Sequence, residues 1–156
     1  MFRQMRRKKQ ELTEEECVHI LTVQPRGFIA VLADNDYPYA VPMNYVYDNG
    51  RIYFHSALEG QLTDAINKSD KVTFTVINNG EKVENEWWYI FKSVIVFGRI
   101  KIIEEKDEKI KRLRILGNKY FPSEEYIEKE IENAIDRTQV LELNIEHMSG
   151  KVVTEK

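Results

Sequence analysis

The stretch Tyr53-Phe54-His55-Ser56-Ala57-Leu58-Glu59-Gly60-Gln61 begins as a strand and passes through small and polar residues. It then gives way to Leu62, Ala65 and Ile66 at helical spacing. A turn of that kind can hold an anion. Backbone N–H groups at a helix start have no partner inside the helix and point along its axis, so a phosphate placed there satisfies donors and meets a favourable partial charge. Ser56 offers a hydroxyl and His55 a ring N–H, Gly60 lets the backbone come close, and Glu59 and Gln61 flank the helix start. Each residue also has a commoner use: a serine there is usually a cap, and a histidine at a strand end is usually hydrogen-bonded structure.

A second constellation is Val41-Pro42-Met43-Asn44-Tyr45. Pro42 brings no N–H to a sheet ladder, which leaves neighbouring backbone groups free to face a planar ring, and Asn44 carries a donor and an acceptor in one side chain. The edge of a flavin calls for that mixture; a plain edge strand with an exposed proline accounts for the same residues. A third is Trp87-Trp88-Tyr89, whose ordinary reading is core or interface aromatics. Other chemistries lack their marks. There is no GxGxxG after a strand, no GxxxxGK[ST] and no GxSxG. The 3 histidines, His19, His55 and His147, are far apart and share no metal-ligand spacing. Carboxylates fall on charged helical faces, with no isolated pair placed for acid and base work.

The elements that must position these residues are legible in outline. Thr13-Glu14-Glu15-Glu16 fits a capping box and predicts a helix over 14–23, ended by Pro25-Arg26-Gly27. GFIAVLA, residues 27–33, is almost continuously apolar, as a strand buried on both faces would be. Asp34-Asn35-Asp36 supplies turn chemistry, and the two prolines of YPYAVPMNYVYD demote regular pairing in the strand that follows. Asp48-Asn49-Gly50 predicts a tight hairpin into RIYFHS, and KVTFTVI alternates as a half-buried strand. Asn78-Asn79-Gly80 predicts a second turn, and WWYIFKSVIVFGRIKII is too long for one flat strand, with Gly98 where a bulge would fit. From Asp107, Ile110, Leu113 and Leu116 mark an amphipathic helix; Pro122 interrupts it and Ser123 caps another, with Ile127, Ile131 and Ile135 every four residues. In TQVLELNIEHM, Leu141, Leu143 and Ile145 share one strand face and Glu142, Asn144 and Glu146 the other. Antiparallel strands around one core with short helices in the connections predict a mainly β, α+β fold. A closed or partly closed barrel fits better than a doubly wound sheet.

Composition bounds the rest. The chain has 156 residues, 42% hydrophobic and 31% charged, which is the range of one globular domain spanning 1–156. No apolar run reaches the ~20 residues that cross a bilayer, and the default location is the cytoplasm. The single cysteine, Cys17, cannot form an internal disulfide and sits among Val18, Ile20 and Leu21 as a packing residue. A formal net charge of −3 argues against nucleic-acid binding; Arg3, Arg6, Arg7, Lys8 and Lys9 form a local cationic arm, solvated or laid along a partner subunit.

In combination these segments resemble a known family. PRGFIAVLADNDYPYAVPMNYVYDNGRIYFHSALEG, then KSVIVFGRIKIIEE and the closing LELNIEHMSGK, together with the MRRKKQELTEEEC start, look like the pyridoxamine 5′-phosphate oxidase-related flavoproteins, within the branch of nitroimidazole-resistance proteins. The resemblance implies a split β-barrel that binds FMN at the interface of a homodimer, with a small-molecule substrate and the flavin doing the redox work of an oxidoreductase. It implies that Pro42, Met43 and Asn44 run along the isoalloxazine ring, that His55, Ser56 and Ala57 approach the ribityl and phosphate, and that Gly60 and Gln61 close the phosphate turn. Lys92, Ser93 and Val94 would come near the flavin from the other subunit, and Trp88 would be a wall. A binding module without turnover, holding flavin or a heme ligated by His55 or His147, is the alternative. One departure stands out: relatives commonly carry lysine two residues after the glycine of the turn, where this chain has Leu62. Loss of a charge-assisted hydrogen bond weakens phosphate binding about ten- to a hundredfold unless Arg99, Lys92 or Arg26 substitutes.

Overall fold

The computed structural model describes residues 1–154. Helix α1 (Glu14–Val23) starts at the expected capping box: the Glu16 amide donates to Thr13 Oγ1 at 3.3 Å and the Thr13 amide to Glu16 Oε2 at 2.9 Å. Strands β1 (Arg26–Leu32), β2 (Pro38–Asn44), β3 (Val46–Asp48) and β4 (Arg51–Ala57) follow, then α2 (Gln61–Lys68), β5 (Lys71–Ile77), the short β6 (Glu81–Lys82) and the long β7 (Tyr89–Ile103). Helices α3 (Lys106–Tyr120) and α4 (Glu124–Ala134) form a hairpin before β8 (Thr138–Val153) closes the chain. Asn49 and Gly50 take φ of 47° and 78°, the positive angles that the β3–β4 turn demands.

Every strand pairing is antiparallel, in the order β2-β1-β5-β7-β8-β4-β3 with β6 beside β7. The two outermost strands, β2 and β3, are separated in sequence only by Tyr45, so one stretch of chain serves both ends of the sheet and curls it into a barrel. The register slips between Phe97 and Gly98, where the long β7 bends against β8. A Cβ at Gly98 would run into the Asn144 carbonyl, so glycine is required there. Phe54, Phe74, Val76, Val94, Val96, Leu141 and Leu143 fill the interior, with Phe74 edge-on to Tyr45 and Phe54. Cys17, Ile20 and Leu21 of α1, and Leu62, Ala65 and Ile66 of α2, pack onto the same core.

The outer surface is treated in two ways. Leu113 and Leu116 of α3 cover Val46, Tyr53, Ile103 and Val140 as a second cluster. Across β1, β5 and β7, by contrast, Phe28, Leu32, Ile77, Ile95 and Phe97 remain exposed. They adjoin through Phe28↔Thr75 and Thr75↔Ile95, and Phe28 also faces Pro42.

Three expectations need correction. GFIAVLA is not buried on both faces; its residues alternate, and Phe28 and Leu32 lie on the bare outer face. Pro38 and Pro42 do not disturb pairing with β1, which is continuous from Pro38↔Leu32 to Asn44↔Arg26. Being four apart they share one parity, and in an antiparallel pair alternate residues point their N–H away from the partner. Ile135 falls outside α4, which ends at Ala134.

Candidate functional site

The end of β2, the end of β4 and the start of α2 meet at one rim of the barrel. Along β2, Tyr39, Val41 and Met43 turn inward against the core while Pro38, Ala40, Pro42 and Asn44 face out. Asn44 is held from the β1 side, where its Oδ1 accepts from Arg26 Nε at 3.1 Å. β3 and β4 pair as far as Val46↔Tyr53. Continuing that register by two residues would set Asn44 opposite His55; the ladder stops instead, and β2 leaves to join β1.

The kink at Tyr45 that allows this exit is fastened from α3. The Tyr45 amide donates to Tyr120 Oη at 2.8 Å, and that hydroxyl is within reach of the carbonyls of Pro25 at 2.6 Å and Tyr45 at 2.8 Å. Lys119 Nζ lies 3.8 Å from the centre of the Tyr45 ring and donates to the Gln24 carbonyl at 2.7 Å. Burial without a carboxylate partner lowers the Lys119 pKa to about 8.

His55 and Ser56, neighbours in the strand, face opposite ways. Ser56 looks toward α2: Gln139 Nε2 donates to Ser56 Oγ at 3.0 Å and to Thr63 Oγ1 at 2.7 Å, which ties β4, β8 and α2 together. The His55 ring opens onto a cavity beneath the α3–α4 hairpin, where desolvation lowers its pKa and favours neutral imidazole. After Ala57 the chain reaches Gly60, at φ 135° and ψ 170°, with nothing within 4 Å of where a Cβ would stand. No side chain caps α2, and its first helical bond runs from the Asp64 amide to the Gly60 carbonyl at 3.0 Å. The amides of Gln61, Leu62 and Thr63 therefore have no acceptor within the helix and face an open turn.

Pro42, Met43, Asn44, His55, Ser56, Ala57, Gly60 and Gln61 thus share one rim, Met43 by its backbone. Lys92, Ser93 and Val94 do not: β1 and β5 stand between β7 and β2, about 14 Å at ordinary strand spacing. Lys92 Nζ is bound by Glu16 at 3.0 Å, and the Val94 side chain is in the barrel core. Trp88 Nε1 is buried without a hydrogen-bond partner among the described residues, beside the exposed Trp87. Leu62 packs against the core rather than facing the turn. Of the three cations considered in place of a lysine there, Arg99 is held by Asp70 and Glu146 and Lys92 by Glu16; Arg26 alone has no carboxylate partner among the described residues. Sequence reasoning missed Tyr120, Lys119, Gln139 and Thr63, whose partners lie far away in the chain and leave no local spacing to read.

Comparison with known proteins gives the arrangement its relatives. A protein from Bacteroides thetaiotaomicron, described as a 5-nitroimidazole antibiotic resistance protein, superposes with a TM-score of 0.79 at 23% identity, over 91% of this chain and 86% of its own. A FAD and heme binding protein from Mycobacterium smegmatis gives 0.76 at 20% identity, over 95% of this chain and 74% of its own. An uncharacterised protein of Rhizobium meliloti (strain 1021) is 32% identical over 88 residues, 56% of this chain; the chain spans about half, 53%, of that relative's length. The solved structures share the split-barrel fold. The family model described as pyridoxamine 5′-phosphate oxidase matches residues 13–152, and the chain belongs to that family.

Proposed function

We propose that the chain is a flavin-binding oxidoreductase that holds FMN at the rim formed by β2, β4 and α2, acts as a homodimer in the cytoplasm, and reduces nitroaromatic compounds of the nitroimidazole kind. The observation that carries this reading is the uncapped start of α2, whose unpaired amides open beside the Asn44 edge. Family membership supports it, as do relatives described as FAD-binding, FAD- and heme-binding, and nitroimidazole-resistance proteins.

The residues present fit the group. The amides of Gln61, Leu62 and Thr63 would receive the phosphate, and Arg26, which donates to Asn44 and has no carboxylate partner among the described residues, is the available cation. Asn44 would hold the polar edge of the ring and the exposed face of Pro42 its apolar part. Phe28, Ile95 and Phe97 would be covered by the second copy, which would exclude water from the ring and bring its own Lys92–Val94 segment closer. When bound, the flavin supplies the electron transfer.

Absorbance of the purified protein and titration with FMN test the cofactor. Gln61→Pro keeps the first helical position acceptable while deleting one amide donor, and should weaken FMN binding about tenfold. Colourless protein that takes up no added FMN overturns the reading. Anaerobic reduction with NADH or NADPH, followed by a nitroimidazole, tests turnover. A non-catalytic flavin or heme module is favoured by one observation: Leu62 stands in the core, so the turn lacks a dedicated cation of its own. Flavin that binds without passing electrons on, or a Soret band, would establish that alternative.

A further inference from the structure

We propose that the cavity between the α3–α4 hairpin and the outer face of β4 is a binding site for an uncharged single-ring aromatic molecule bearing one hydrogen-bonding substituent, separate from the phosphate turn. The cavity measures about 210 Å³. An apolar cavity of about 150 Å³ takes up benzene, so this one accommodates a ring and a substituent. Its walls are Leu113, Leu116, Ile127 and Ile131, with Phe121 and Tyr126 at the hairpin turn, their rings 5.0 Å apart and both exposed. At the base the helices approach closely enough that a Cβ on Gly117 would press into Ile127, which closes the floor.

Polar groups enter from both walls. Thr138 and His55 stand on the strand wall, and Glu130 completes the lining from α4. The His55 side chain is exposed and makes no hydrogen bond among the described residues, so its ring nitrogens are open to a ligand; partial desolvation favours the neutral form, which offers one donor and one acceptor. Glu130 has no ion-pair partner among the described residues and disfavours carboxylates in the cavity. The ligand class follows: an apolar ring against the leucines and isoleucines, and a hydroxyl or ring N–H directed at His55. The phosphate turn belongs to α2 and to the face of β4 that carries Ser56, opposite to the face that carries His55, so the cavity is separate from that turn.

The test is calorimetric titration of the flavin-free full chain with p-cresol, toluene and 4-methylbenzoate. p-Cresol should bind about three- to tenfold more tightly than toluene, the worth of one hydrogen bond, and 4-methylbenzoate should bind least. Ala134→Leu, at the α4 end of the cavity, should abolish binding of all three while the circular-dichroism melt and FMN titration stay as in the parent. His55→Leu should bring p-cresol down to toluene. Absence of p-cresol binding, its persistence in Ala134→Leu, or its displacement by saturating FMN would each overturn the proposal. The FMN titration alone reports on the cofactor reading, so failure of one is distinguishable from failure of the other.

Discussion

One outer face of the barrel is covered and the other is bare, although both belong to the same sheet. Over β3, β4 and the first part of β8, the chain supplies its own cover: α3 lays Leu113 and Leu116 on Tyr53, Val46 and Val140. Over β1, β5 and the middle of β7, Phe28, Ile95, Phe97 and Ile77 stay exposed in adjoining rows among the described residues. Phe2 reaches only the far margin, stacking on His147 at 4.7 Å and near Phe97 at 5.5 Å. The first face is finished by folding, whereas the second leaves an apolar surface in water, the one that the proposed dimer would cover.

A charge on the bare face should break the contrast most strongly. Ile95→Lys is expected to leave a folded monomer, with dimer affinity lowered more than a hundredfold and FMN binding lost with it; sedimentation and FMN titration measure both. A stable dimer in that variant would show that the face serves something else. The converse change, Leu116→Ala beneath α3, should cost about 2–5 kcal/mol in chemical denaturation while leaving the native mass unaltered. Tyr120→Phe should cost about 1–3 kcal/mol, since it strands the Tyr45 amide, and should loosen FMN through Asn44.

Lys119 offers a finer probe. Its folded pKa lies near 8, below the usual 10.5, so folding disfavours the charged form. Below pH 8 both states are protonated and the burial penalty is present in full. Between about pH 8 and 10.5 the unfolded chain binds more protons, and stability rises with pH until the penalty is gone. Lys119→Met should therefore stabilise the protein by about 1 kcal/mol at pH 7, the lost contact with the Tyr45 ring offsetting part of the gain, and the advantage should vanish by pH 10.5. An advantage that does not change with pH would mean that packing, not charge, is the cause.

What was legible in the sequence was what is encoded locally. The capping box at Thr13, the Asn49-Gly50 hairpin and the Ser123 cap each stand where the chemistry of residues close together in the chain requires them. The stretch from Ser56 to Gln61 was readable for the same reason, being strand, turn and helix in one run. Periodicity failed where it had to infer what lies outside the chain. GFIAVLA looks buried on both sides because its outer face is apolar, and a single sequence cannot tell a face covered by its own helix from one left bare. The burial of Glu142 is likewise invisible to periodicity, because Tyr53, which donates to it, and the cations Arg51 and Lys101 are brought up by distant strands. The Tyr120 anchor joins residues 75 positions apart, beyond any spacing rule.

The continuous run from Pro38 to Asp48 has a further effect on the molecule's behaviour in crowded solution. Among the described residues its outer edge, that of β2, is seven residues long and pairs with β1 alone. The short gap left where β2 departs is guarded by two residues without N–H groups, so the opening that would admit a small ligand is a poor template for fibril growth.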